Sequence, residues 1–238
     1  MVTRTLLRST VLLAIASCAA RPLQELSPSN FDRLRRSMVE LQLQGRDISD
    51  PRVLEVMGKV PRHLFVPPGL QQFAYDDQPQ PIGEGQTISQ PYIVALMTQL
   101  AQPKPDQRIL EIGTGSGYQA AVLSLLCREV YTIEIVQSLA QQAKRRLQEL
   151  GYANIHARTG NGYLGWPDAA PFDGILVTAG ATEVPPALVE QLKPGGRMII
   201  PVGSTLSIQM LKVIEKGTDG RLRVRDQIPV RFVPLRRQ

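Results

Sequence analysis

With 238 residues the chain is long enough for one domain with a full hydrophobic core and short for two. Apolar residues at 43% and charged residues at 20% exclude both a disordered chain and a membrane bundle. The net charge of +6 would suit an acidic partner, yet the bases form small separate groups (Arg33, Arg35, Arg36; Lys144, Arg145, Arg146; Arg236, Arg237). These read as solvated helix faces and tails rather than one nucleic-acid patch.

Arg4 and Arg8 precede an apolar stretch at 11–16, and small residues follow to Ala20. That order, over residues 1–20, is signal-like, and the stretch is too short to span a bilayer. Ile15-Ala16-Ser17-Cys18 also resembles a bacterial lipoprotein box, which would make Cys18 a lipid attachment point. The alternative is an extension from an upstream start codon. A helix with apolar Leu34, Met38, Leu41 and Leu43 is expected over 31–44, and a short one after Asp50-Pro51. From 61 to 91 the chain is rich in Pro, Gly, Gln and Asp, which predicts an ordered loop without regular elements. A loop of that length is usually functional.

A helix at 92–102 follows, and then apolar β-rich runs alternate with helical stretches. Strands are expected at 108–112, 129–133, 155–159, 174–178 and 197–201, with helices at 118–127, 137–150 and 186–191. Such alternation means βαβ units and a mainly parallel, doubly wound α/β sheet. Strands at 207–215 and 221–229, joined by a turn, add an antiparallel hairpin at its end. The expected domain runs from 31 to 238, with N-terminal helices and loop (31–102), a core (103–204) and C-terminal strands (205–238). Of the two cysteines, Cys127 lies in an apolar run and reads as a buried, inert thiol.

The strongest chemical signal is Leu110-Glu111-Ile112-Gly113-Thr114-Gly115-Ser116-Gly117-Tyr118, between a strand and a helix. Glycines let the backbone turn sharply and approach a ligand, and the helix start offers free amides. Gly115-Ser116-Gly117-Tyr118-Gln119-Ala120 formally fits the dinucleotide pattern. The turn begins at Gly113, however, and in that register bulky Tyr118 occupies the place where a dinucleotide fold needs a small residue. The Glu-x-Gly-x-Gly-x-Gly register of an S-adenosylmethionine site fits better. Glu134, ending the next strand about twenty residues on, could accept both ribose hydroxyls. Asn161, between Gly160 and Gly162, could accept from the adenine amino group or simply take a left-handed turn.

Upstream stand Val60-Pro61-Arg62-His63-Leu64-Phe65-Val66-Pro67 and Pro81-Ile82-Gly83-Glu84-Gly85-Gln86-Thr87-Ile88-Ser89-Gln90-Pro91, and near the end Val230-Arg231-Phe232-Val233-Pro234-Leu235. Together with the glycine motif these resemble the protein-L-isoaspartate O-methyltransferase family, over roughly residue 31 to the C-terminus. The resemblance implies a Rossmann-like class I methyltransferase fold using S-adenosyl-L-methionine. It implies Ser89 as the active-site residue, with Thr87, Ile88, Gln90 and Pro91 toward the substrate. The cofactor pocket would comprise Glu111, Gly113, Thr114, Gly115, Ser116, Gly117, Glu134, Ile135, Asn161 and Gly162. The family usually has Asp where this chain has Asn161, which keeps the acceptor. Partners would be isoaspartyl proteins and peptides, with no metal, no nucleic acid and a monomeric chain. The cytoplasm, where the cofactor is made, is the expected compartment, with export to the bacterial envelope as the alternative.

A carboxylate nucleophile is already ionised near neutral pH, so no general base is expected. Ser89 would position it, or else merely cap the helix starting near Pro91. His63 and Trp166 read as structural. Three competing readings are weaker: a nucleic-acid methyltransferase lacks a base-reading motif, a nicotinamide oxidoreductase lacks a catalytic acid, and a non-catalytic module would have no need of the serine and the pocket together.

Overall fold

The computed structural model describes residues 27–204 and 207–237, so the signal-like segment and Cys18 lie outside the described residues. Helix α1 (Pro28–Ser37) starts three residues before its expected position, because the Ser27 side chain accepts from the Asn30 amide and Pro28 suits the first turn. It runs on as a π-helix, Met38–Gln44, rather than as a continuous α-helix. Asp50 caps α2 (Pro51–Lys59) at the Arg52 amide.

The segment 61–91 departs most from expectation. It holds two 3-10 turns (Arg62–Phe65, Pro68–Phe73) and a two-stranded antiparallel hairpin, β1 (Gln80–Gly83) with β2 (Gln86–Ile88). Glu84 and Gly85 make its turn with φ of 55° and 67°, both left-handed as a two-residue hairpin requires. With only two ladder positions beyond the turn, such a hairpin leaves no alternating stretch long enough to read.

Helix α3 (Pro91–Ala101) leads into a seven-stranded sheet ordered β5-β4-β3-β6-β7-β8-β9. Here β3 is Arg108–Ile112, β4 Glu129–Glu134, β5 Ile155–Thr159, β6 Phe172–Val177, β7 Leu192–Gly203, β8 Gln209–Lys216 and β9 Leu222–Val230. The pairs from β5 to β7 are parallel, and β8 and β9 are antiparallel additions. The sheet is therefore Rossmann-like and ends in an antiparallel hairpin. Strand β7 starts earlier than expected because Leu192 pairs with Phe172 before the ladder resumes at Arg197, despite the intervening Pro-Gly-Gly.

Helix α4 (Tyr118–Ser124) is shorter than the expected 118–127. The Asn154 amide donates to the carbonyls of Ser124, Cys127 and Arg128, so a distant residue satisfies the groups a longer helix would have used. Cys127 is buried, and burial pushes its thiol up to about 12, which makes it inert. Helices α5 (Gln137–Glu149) and α6 (Pro186–Gln191) complete the layers.

Strand side chains alternate between two cores. Ile109, Val130, Leu176 and Ile199 join Val94, Met97 and Leu123 on one face, while Leu110, Ile112, Ile133, Ile175 and Met198 join Leu188 on the other. After β3 the chain builds β4 and β5 to one side, then crosses to place β6 on the other. That reversal opens a crevice beyond the carboxyl ends of β3 and β6, where open α/β sheets bind ligands.

Candidate active site

The turn after β3 forms the floor of this crevice. Gly113 has φ of 101°, and a Cβ there would lie 2.6 Å from Thr178 Oγ1. Only glycine fits. The Thr178 hydroxyl donates to the Gly113 carbonyl at 2.7 Å, tying the turn to the end of β6. The Gly113 amide donates to the Ile133 carbonyl at 2.8 Å, tying it to β4. Gly117, with φ of 89°, lies against Leu147 of α5, and Arg146 from the same helix donates to the Ser116 carbonyl at 2.8 Å. This arginine does more than face solvent, contrary to its reading as part of a basic surface group.

Two buried carboxylates face the crevice. Glu134 accepts from the Gly115 amide at 2.8 Å and from the Val136 amide at 3.0 Å, which fixes its orientation. Glu111 is fully buried at the head of a chain of hydroxyls: Thr132 donates to its Oε2 at 2.6 Å, and Thr114 and Thr132 lie 2.6 Å apart. Its Oε1 is buried without a partner. Burial pushes the Glu111 carboxyl up to about 8, with the Thr132 bond pulling the other way.

The opposite wall comes from Gln86, Thr87, Ile88 and Ser89 and from residues 233–236. That tail is pinned by Gly180, whose amide donates to Val233 and whose carbonyl accepts from Leu235, both at 2.8 Å. A second lobe opens beside the crevice, lined by Pro79, Gln90, Ile93 and residues 229–232. Thr87, Ser89, Thr178 and Val233 belong to both lobes.

Of the residues expected here, Glu111, Gly113, Thr114, Gly115, Ser116, Glu134, Ile135 and Gly162 line the crevice with Thr87, Ile88 and Ser89. Gln90 lines the second lobe. Pro91 is buried as the first residue of α3 and lines neither lobe, while Gly117 shapes the turn from behind. Asn161 is not among the lining residues, though its neighbour Gly162 is, and its amide oxygen accepts from the Tyr163 amide at 2.9 Å. Its φ of −80° is not left-handed, so the turn reading fails, since the capping bond holds it extended. Nor does Ser89 cap α3, for Gln90 occupies that position and no side chain caps it.

His63 stacks on Phe31 at 3.9 Å and meets the Tyr75 hydroxyl at 2.8 Å. Trp166 lies under Arg158 and edge-on to Tyr131. Both are built into packing, away from the crevice. Thr178 and Ala179 line the crevice without having been singled out, and Arg236, read above as part of a solvated basic tail, lines it as well. The only available signal was the quoted Val230–Leu235 run, which marks a tail but not its destination.

Residues 33–238 match the family described as protein-L-isoaspartate(D-aspartate) O-methyltransferase. A protein-L-isoaspartate O-methyltransferase of Opitutus terrae is 61% identical over 204 residues, covering 86% of this chain and 87% of that one. One from Nitrosospira multiformis is 54% identical over 213 residues, covering 89% and 90%. Among solved structures, a protein-L-isoaspartate O-methyltransferase superposes with a TM-score of 0.74 at 32% identity, covering 84% of this chain and 65% of that one. A Plasmodium falciparum protein described as a putative enzyme of the same kind, in complex with S-adenosyl-L-homocysteine, gives a TM-score of 0.74 at 27% identity, covering 85% and 98%. The chain belongs to the protein-L-isoaspartate(D-aspartate) O-methyltransferase family.

Proposed function

We propose that the chain transfers a methyl group from S-adenosyl-L-methionine to the free α-carboxylate of L-isoaspartyl residues in damaged proteins and peptides. The observation that carries the residue roles is the position of Ser89 on the boundary between the two lobes. One lobe holds the Glu111 and Glu134 carboxyls beside the glycine turn; the other joins Thr87, Ser89, Gln90 and Arg231 to apolar Ile93, Val230 and Phe232, a mixture suited to an extended peptide segment.

The donor set fits an adenosyl sulfonium cofactor. Glu134 would take the ribose hydroxyls, and the unpartnered Oε1 of Glu111 suits a cationic group. Asn161 accepts from the Tyr163 amide with one lone pair of its side-chain oxygen, which leaves the second available to the adenine amino group. When bound, the cofactor supplies an electrophilic methyl carbon on positively charged sulfur.

Transfer of that methyl to a peptide carboxylate oxygen, with release of the sulfur as a neutral thioether, would require nucleophile, methyl and sulfur to stand in line. Ser89 donates its hydroxyl to the carboxylate and sets that line, with Thr87 and Gln90 beside the peptide. It leaves one oxygen free to react. No proton moves in the transfer, because the carboxylate is ionised well below neutral pH. The methyl ester then closes on the neighbouring amide nitrogen with loss of methanol, and hydrolysis of the succinimide restores some aspartyl linkages. Among the described residues no cluster of His, Cys, Asp and Glu could hold a metal ion, and no helix is long and apolar enough to cross a membrane. We place the reaction in the cytoplasm, where this cofactor is made, and in a monomer of one domain.

The test is transfer of labelled methyl to two peptides differing only in one aspartyl or isoaspartyl linkage. Base-labile label confined to the isoaspartyl peptide is expected. Label on both, or on neither despite tight S-adenosylhomocysteine binding, would overturn the substrate.

A further inference from the structure

Arg62 is fully buried, yet it pairs with no carboxylate among the described residues. Its Nε donates to the Ala74 carbonyl at 2.7 Å, and its Nη2 donates to the Ser89 carbonyl at 2.7 Å. The guanidinium carbon lies 4.8 Å from the centre of the Tyr118 ring, at the start of α4, and Nη1 has no partner. Burial pulls the guanidinium down to about 10, so it remains charged near neutral pH. A buried charge is costly, and an apolar side chain of similar volume would fill the space at lower cost. Packing alone does not explain an arginine here.

Its bonds do. Ser89 lies between the end of β2 and the start of α3, where the backbone has left the ladder and has not yet entered the helix. The guanidinium supplies a charged donor to the carbonyl of that residue, and its planar fork ties it rigidly to Ala74 and to the Tyr118 ring. Tyr118 in turn follows the glycine turn and lines the crevice.

We infer that Arg62 is a positioning residue for methyl transfer, holding the Ser89 backbone so that its hydroxyl stands between the two lobes. The inference rests on the role of Ser89 proposed above. Arg62 touches neither cofactor nor peptide; it acts through the serine.

The experiment is a double-mutant cycle on the full chain with Arg62→Lys and Ser89→Ala, read by kcat on an isoaspartyl peptide, by S-adenosylhomocysteine Kd and by Tm. Arg62→Lys should lower kcat about tenfold to thirtyfold with Kd unchanged within about twofold, because misplacing an aligning group costs rate rather than cofactor affinity. In the Ser89→Ala background the same change should alter kcat by less than about twofold, as expected for residues acting as one unit. Arg62→Gln, which removes the buried charge, should repeat the pattern.

Equal losses in both backgrounds would mean that the arginine acts elsewhere, and would overturn the inference while the serine's role stands. So would a weakened Kd with kcat intact. Failure of both arginine variants to fold would assign Arg62 to the framework and likewise overturn it. Full kcat in Ser89→Ala alone would instead remove the reading beneath it, and the inference with it.

Discussion

The floor of the crevice comes from one continuous run, Glu111 to Ser116, with Glu134 one strand away. The facing wall is assembled from the β1–β2 hairpin and from residues 229–236, segments separated in sequence by the whole central sheet. The floor presents two carboxyls held in place, Glu134 by two amides at 2.8 and 3.0 Å and Glu111 by Thr132 at 2.6 Å, with Glu111 Oε1 left without a partner. The wall mixes apolar side chains such as Ile88, Phe232 and Leu235 with the polar Gln86, Thr87, Ser89, Arg231 and Arg236. A fixed floor suits a cofactor that is the same at every turnover, and a wall of polar groups spread among apolar side chains suits peptides that differ in everything but one linkage. Changes in the floor should therefore alter cofactor binding, and changes in the wall should alter peptide use.

The largest effect is expected in the floor. In Gly113→Ala the new Cβ meets Thr178 and the backbone is strained, so S-adenosylhomocysteine should bind about a hundredfold more weakly by calorimetry, about 3 kcal/mol. Wild-type affinity in that variant would show that the floor yields.

The next effect is on pH. Glu111, raised to about 8, keeps its proton in the folded state from its unfolded value upward, so its burial lowers stability as pH rises through that window. A cationic group at Glu111, such as the α-ammonium of S-adenosylhomocysteine, favours the ionised form. S-adenosylhomocysteine affinity should accordingly rise about tenfold from pH 6.5 to pH 8 with release of a proton, and Glu111→Gln should flatten the profile. A flat profile in the unsubstituted protein would place the ligand's charge away from this carboxyl.

The smallest effect tests the wall. Phe232→Ala, in the second lobe, should raise the peptide KM about fivefold and leave the S-adenosylhomocysteine Kd unchanged, as loss of part of an apolar contact costs about 1 kcal/mol. Equal effects on both ligands would erase the distinction between floor and wall.

The same division explains what could be read from the residues. Strands β3 to β6 and the glycine turn are local patterns, apolar runs bounded by helical stretches and by Gly113-x-Gly115-x-Gly117. Their positions followed from short-range rules. The wall depends on contacts across the chain: Gly180 pairing with Val233 and Leu235, or the Gln209 side chain accepting from the Phe232 amide at 2.8 Å. No local pattern announces such pairings. Arg146 and Asn154 illustrate the same limit, for each satisfies carbonyls thirty residues or nearly so away and reads in isolation as an ordinary surface residue. Asn161 failed differently: its flanking glycines suggested a free turn, and a capping bond to Tyr163 fixed it instead.

Because the crevice gathers residues from Gln86 to Arg236, no fragment of the domain owns it. A fluctuation that frees the hairpin, or one that peels the tail from Gly180, gives up bound cofactor just as global unfolding does. Occupancy thus weighs against partial and complete openings alike. An enzyme wired in this way should offer proteases least when it is loaded with its methyl donor and ready to work.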